Sequence, residues 1–486
     1  MSNPTQPQSP TGKSHMHLVT LQPSDVLFFR DGRPMEGSLA GHSLAWPLPN
    51  VINHAFHAAL HRAGLAQAAH AHRRGRSGHY ETDRDRYFGC LKTAGPFPVQ
   101  NTTGQNAWYF PRPADAQQSH STSITHFPVA SLAGAPDLDP RLNSSLPGPL
   151  KYAVASAVPP TKEFKAEAWW SKKAFDAYLK GNGQVEKREF LEDSCLADVE
   201  SYIGIAIDPE TQTTGHGDVE GKIYTAHYLR LREKFRLGVI AEALDKGANG
   251  TAPVDLIYQL LNGKPTQILV GGQQRVCTAV RSDVNSHLPL PQGMSSGFQL
   301  NKANNKSLVK WVLLTPAIWP EIPAGTSKRG TERQYHPGGW LPNWVCPETG
   351  EVLLEYVDPD TRRQRRRLNS EGKGYSSNPA KTARLVAALI PKPIVVTGWA
   401  LPNEADRTQG GAKSTHLAVP AGAVYYFEAD SEAEAQKLAA ALNWHGRGDF
   451  TRIQNRRSTL LGEQGFGLGV CGTWTFFPNV SERPQP

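Results

Sequence analysis

Strand, helix, two strands, helix, strand: this order of candidate elements occurs on both sides of one Pro/Gly/Ser/Asn-rich stretch, residues 284–306, and few folds accommodate it. In the first half His17–Leu21 reads as a strand. Val51–Arg62 reads as a helix with Asn50 as N-cap and Gly64 as stop. Tyr202–Ile207 and Ile223–Leu231 read as strands around the turn-rich Asp208–Gly221. Val254–Leu261 reads as a short helix, Gln267–Val270 opens another strand, and a further strand starts at Val276. In the second half Leu308–Leu314 reads as a strand and Ala380–Leu389 as a helix ended by Pro391. Pro393–Trp399 and Ala423–Glu428 read as strands, Glu432–Asn443 as a helix with Ser431 and Glu434 as a capping box, and Val470–Phe477 as the last strand.

The reading is α+β: two ferredoxin-like (RRM-like, βαββαβ) domains with long insertions. The expected boundaries are a tail 1–15, a first domain 16–283, a linker 284–306, a second domain 307–478 and a tail 479–486. Residues 66–160 lack periodicity and are rich in Gly, Pro, Ser and His, so they read as an insertion.

The first fifteen residues are too polar for a secretory signal, and no apolar run is long enough to span a bilayer. The five cysteines, Cys90, Cys195, Cys277, Cys346 and Cys471, are scattered, with no CxxC pair to seed a zinc site. A reducing cytoplasm is the expected setting, with no metal and no membrane partner. Net charge is +8, and it is concentrated. Arg362, Arg363, Arg365, Arg366 and Arg367 form one run; Arg73, Arg74 and Arg76 form a second; Arg447, Arg452, Arg456 and Arg457 form a third. Clustered guanidinium forks suit a phosphate backbone, and a solvated loop is the competing reading of each cluster.

Gly467, Gly469 and Gly472 match G-x-G-x-x-G, but a strand-like Thr473–Phe477 follows and the sequence runs only to Pro486. A dinucleotide site needs a helix there and an acid about twenty residues on, so no nucleotide cofactor is expected. What remains is a glycine-dense loop, Gly462, Gly465, Gly467, Gly469 and Gly472, with Arg456 and Arg457 just upstream. Such a loop can let backbone N–H groups approach phosphate, or it can simply be a bulged strand entry. In the first case a Cβ at Gly467 or Gly469 should harm RNA binding more than folding. Gly271 and Gly272, followed by Gln273, Gln274 and Arg275, occupy the same step of the first half.

Near the N-terminus, Asp31-Gly32 is a turn signal that would display Arg30 and Arg33 beside Phe28 and Phe29. Arginine beside aromatic rings suits single-stranded RNA; a strand end with an exposed turn is the alternative. This Asp25-Val-Leu-Phe-Phe-Arg-Asp-Gly-Arg-Pro34 segment resembles the opening of subunit three of the Cmr (type III-B) CRISPR effector complex, in the RAMP superfamily. Further matches follow in order: Trp46-Pro-Leu-Pro49, Ile203-Gly-Ile-Ala-Ile-Asp208, Leu269-Val-Gly-Gly-Gln-Gln-Arg275, Leu313-Leu-Thr-Pro316, Gly398-Trp399, Val419–Phe427, and the terminal Gly465-Phe-Gly-Leu-Gly469. Residues 66–160 match poorly, and the 362–367 arginine run has no counterpart in the pattern.

The resemblance implies a non-catalytic subunit in antiviral defence. It would bind the 5′ repeat-derived tag of the CRISPR RNA, dock on the large polymerase-like subunit and touch the backbone subunit. The candidate RNA-binding residues are Arg30, Arg33, Gly271, Gly272, Arg275, Arg456, Arg457, Gly465, Gly467 and Gly469, with no catalytic and no metal-binding residues. The alternative is a metal-independent RAMP endoribonuclease with a histidine general base. His42 is a candidate for that role, and His54, His57 and His61 share one helical face by their spacing.

Overall fold

The computed structural model describes residues 15–30, 44–65, 90–102, 105–116, 119–120, 124–126, 131–132, 146–155, 167–181, 184–205, 207, 211–213, 223–245, 253–262, 264–284, 287–301, 304–326, 332–354, 382–400, 411–412 and 414–476. Arg33, the Asp31-Gly32 turn, His42, Arg73, Arg74, Arg76 and the 362–367 arginines lie outside these residues, as do nearly all of both expected tails.

The first half builds a nine-stranded sheet. Its elements are β1 (His17–Pro23), α1 (Pro49–Arg62), β2 (Leu91–Thr102), β3 (Gln105–Pro111), β4 (Trp169–Ser171), α2 (Lys172–Leu179) and β5 (Phe190–Leu191). There follow β6 (Ala197–Ile205), β7 (Ile223–Leu231), β8 (Phe235–Asp245), β9 (Val254–Asp255), α3 (Leu256–Leu261), β10 (Thr266–Leu269) and β11 (Val276–Asp283). The sheet order is β5-β4-β3-β2-β8-β1-β11-β10, with β9 on the end of β8, and the paired neighbours are antiparallel. Helix α1 forms where expected because Ile52, Ala55, Phe56 and Leu60 make one apolar stripe, and all four are buried. Proline 49 opens it, Leu48 holds the N-cap position in place of the expected Asn50, and Gly64 ends it at φ +67°.

Two expectations fail here. Residues 66–160 contain β2 and β3, which lie in the middle of the sheet. The Tyr202 and Ile223 strands belong to a separate two-stranded hairpin, β6–β7, and the strand beside β1 is β8. Gly95 and Pro96 lie at a bulge of β2 opposite β8, which explains how a strand carrying Pro96 and Pro98 sits inside a sheet.

The second half adds β12 (Gln299–Leu300), β13 (Ser307–Leu313), β14 (Ala383–Leu389), β15 (Ile394–Val396), β16 (His416–Ala418), β17 (Val424–Ala429), α4 (Glu432–Leu442) and β18 (Gly469–Thr473). Its main sheet runs β18-β13-β17-β14, antiparallel throughout, with β12 on β13. Ala383–Leu389 is therefore a strand, not the expected helix. Among the described residues β15 pairs only with β16. Helix α4 is capped by Ser431, whose Oγ accepts from Glu434 N at 3.3 Å, while the Glu434 carboxylate goes to Lys437 and Thr382. In each half the strands β1, β2, β8, β11 and β13, β14, β17, β18 take the order fourth-first-third-second across the sheet.

One apolar cluster passes through both halves, joining Phe97, Trp108 and Trp170 to Val312, Tyr426, Trp444 and Leu468. The connection between the halves is packed into it: Leu288 and Leu290 are buried, and Trp444 Nε1 donates to Pro291 O at 2.7 Å. Inside the cluster Lys310 Nζ lies 3.4 Å from Asp115 Oδ2 and 3.6 Å from the centre of the Tyr178 ring. Tyr178 donates to Asp115 Oδ1 at 2.5 Å and Tyr426 to Oδ2 at 3.0 Å. Burial pulls the Lys310 ammonium below its ordinary pKa, and Asp115 opposes that shift.

Candidate nucleic-acid interface

The structure brings two of the sequence motifs together. Gly272 N donates to Phe28 O at 2.9 Å. Gly271 has φ +78°, and a Cβ there would meet Phe28 O at 2.6 Å and the Phe29 ring at 2.9 Å. The glycines thus allow the Gly271–Arg275 turn to lie directly on the Phe28-Phe29 segment. Phe29 is buried, Phe28 is half-buried and Arg30 is exposed.

The base of the β6–β7 hairpin completes this surface. Leu27 bridges Leu229, which places Tyr228 5.3 Å from Phe28 between ring centres. Tyr202, half exposed, stands edge-on to Tyr228 at 5.2 Å. The Arg275 guanidinium lies over the Tyr228 ring at 4.9 Å. Asp25 sits between Arg230, at 2.9 Å, and Arg275, at 3.7 Å, and Glu200 takes the other edge of Arg230. Hydrogen bonds from Arg230, then Tyr202, hold the Glu200 carboxyl below its usual pKa. Asp25, Tyr202, Tyr228, Arg230 and Gln273 were not singled out from the sequence. The Asp25 motif was noticed for its arginines, and nothing local ties residue 228 to residue 273.

The other candidates lie elsewhere. Gly465, Gly467 and Gly469 are buried. A Cβ at Gly465 would meet Pro49 and Thr93 O at 3.1 Å, one at Gly467 would meet Ser458 N at 2.0 Å, and one at Gly469 would meet Trp311 Nε1 at 2.4 Å. Arg456 donates to Thr93 O at 2.7 Å and Arg457 to Ala441 O at 2.6 Å. Desolvation lowers the Arg456 pKa to about 10, which still leaves it charged at neutral pH. This glycine loop therefore clamps the second half onto β2 and α1 of the first.

Beside that clamp is an open cleft lined among others by Asn50, His54, Thr397, Ser414, His416 and Gln464. Asn50 Oδ1 and Gln464 Oε1 are buried there with no hydrogen-bond partner among the described residues. Of the three helical histidines, His57 and His61 pack edge-on at 4.6 Å. No helix among the described residues is long and apolar enough to cross a membrane.

No curated protein matches the chain. A chain in the cryo-EM structure of the Type III-B Cmr-beta bound to cognate target RNA and AMPPnP, state 1, is similar at 12% identity and TM-score 0.34, over 84% of this chain and 86% of that one. A chain in the same complex bound to cognate target RNA gives 12% identity and TM-score 0.36 over the same shares. The model of one family, described as CRISPR-associated protein (Cas_Cmr3), matches residues 19–474 and so takes in every one of the motifs from Asp25 to Gly469. By that match the chain belongs to the Cas_Cmr3 family and is a subunit of a type III-B CRISPR effector complex.

Proposed function

We propose that this chain is a non-catalytic, cytoplasmic subunit that holds the 5′ repeat-derived tag of the CRISPR RNA. It docks on the large polymerase-like subunit and touches the backbone subunit. The observation that carries the RNA reading is the meeting of the Phe28-Phe29-Arg30 segment with the Gly271–Arg275 turn on one surface, beside Tyr228 and Tyr202. Rings and arginine edges at one place suit unstacked bases. The fourth-first-third-second strand order in both halves supports two ferredoxin-like units of the RAMP kind.

The test is affinity for tagged guide RNA across a salt series. Each phosphate neutralised on a single strand contributes about −0.7 to the slope of log affinity against log salt. If three to five of the 362–367 arginines contact RNA, changing all five to alanine flattens the slope by about 2 to 3.5. Equal slopes for wild type and variant would show that the run does not touch RNA. Co-expressed with the large polymerase-like subunit, the chain should purify as a one-to-one pair; clean separation at micromolar concentration would count against docking.

A second reading, a histidine-based endoribonuclease, is kept by one observation: His54 and His416 line a cleft that also holds two amide oxygens unpartnered among the described residues. The expected result with repeat-containing RNA is no cut, with or without chelator. Site-specific cleavage that disappears in His54→Ala, His416→Ala or His42→Ala would replace the non-catalytic reading with this one.

A further inference from the structure

We infer that Gln273 reads one RNA base through its amide NH₂ alone, and that it selects the O6/N7 edge of guanine over the N6/N7 edge of adenine. The inference rests on the RNA-binding reading and gives it a chemical preference.

Electrostatics argues first. Arg230 and Arg275 are each matched by a carboxylate, Asp25 bridging both and Glu200 holding the far side of Arg230. The two cations and two anions of this ion-pair network cancel one another. Neutral ground is poor at holding phosphate and well suited to base edges and rings.

Geometry argues next. Gln273 and Gln274 are exposed and sit at φ +55° and +52°, a left-handed conformation that non-glycine residues rarely take. Gln273 Oε1 accepts from Tyr228 OH at 2.7 Å and from Arg275 Nη2 at 3.3 Å. An amide oxygen has two lone pairs, and both are used. The carboxamide is therefore fixed in orientation, and its NH₂ is what it offers a ligand. Adenine needs a donor and an acceptor from such an amide, because its N6 amino group donates. On that same edge guanine O6 and N7 both accept, so an NH₂ group alone fits guanine and leaves the adenine N6 amino group facing a donor. The exposed Tyr202 ring beside the turn supplies a face on which such a base can stack.

The experiment uses the full chain and a set of short single-stranded oligoribonucleotides that cover the tag, with each position varied in turn over four bases. Wild type should show, at one position, a preference for guanine over adenine of about tenfold. Gln273→Glu keeps the oxygens that Tyr228 and Arg275 address and replaces the NH₂ with an acceptor, so it should invert the preference to adenine. Tyr228→Phe frees a lone pair on Oε1 and should flatten the preference. A Gln273→Glu profile equal to wild type, at retained affinity, overturns the proposal and leaves RNA binding intact. Wild type with no affinity for any of the oligonucleotides overturns both.

Discussion

Asp115→Ala should destabilise the folded chain by about 3–5 kcal/mol, the cost of leaving one member of a buried ion pair uncompensated. Asp115 is buried after β3, Tyr178 lies on α2, Lys310 on β13 and Tyr426 on β17, so a single carboxylate satisfies three groups from separate elements. Without it Lys310 keeps its desolvation and loses its anion, and two phenolic hydroxyls lose their acceptor. Denaturant unfolding is the measurement. The diagnostic is the double variant: Asp115→Ala with Lys310→Met removes both charges and should recover a large part of the loss, since an apolar replacement of a buried pair is often close to neutral. Costs that simply add would mean that Lys310 and Asp115 do not interact energetically.

That pair also marks where sequence reading stops. Asp115 falls in 66–160, read as an insertion because the segment lacks periodicity and is rich in Gly, Pro, Ser and His; Pro96 and Pro98 hide β2 further, because proline is rare in a central strand. The bulge that admits them exists only opposite β8. β8 itself, FRLGVIAEALD, is buried along nearly its whole length, so it shows no period-two alternation to find. Ala383–Leu389 is rich in Ala and Leu and reads as helix, yet pairing with β17 overrides that propensity, and a register shift between Leu385 and Ala387 further blurs the alternation. Local signals sufficed where the determinants are local: the α1 stripe, the Gly64 stop and the Ser431 cap.

The interface was legible in part for the same reason. Phe28, Arg30, Gly271 and Arg275 stand out by composition, and the contact of Gly271 with Phe28 shows why the turn needs glycine. Tyr228, Arg230 and Asp25 meet only because the β6–β7 hairpin folds back on the segment after β1. The terminal glycine loop was read in two ways, as an approach to phosphate or as a bulged strand entry, and the close approach observed is to the chain's own backbone.

Gly467→Ala should therefore impair folding before it impairs RNA binding. At φ +77° any L side chain is strained by about 1–2 kcal/mol. Its Cβ would stand 2.0 Å from Ser458 N and 2.8 Å from Arg457 C, backbone that is itself held by the Arg457 N to Gly467 O bond at 2.7 Å. Overpacking of this kind adds about 1–3 kcal/mol. Gly181 provides the control, since it has the same φ of +77° and nothing among the described residues within 4 Å of its Cβ position. Gly181→Ala should show the conformational cost alone, and the difference between the two variants isolates the close approach at Ser458. Equal losses would mean that the loop shifts freely to admit a methyl group. A Gly467→Ala protein of wild-type stability with weakened affinity for tagged guide RNA would return the loop to the RNA.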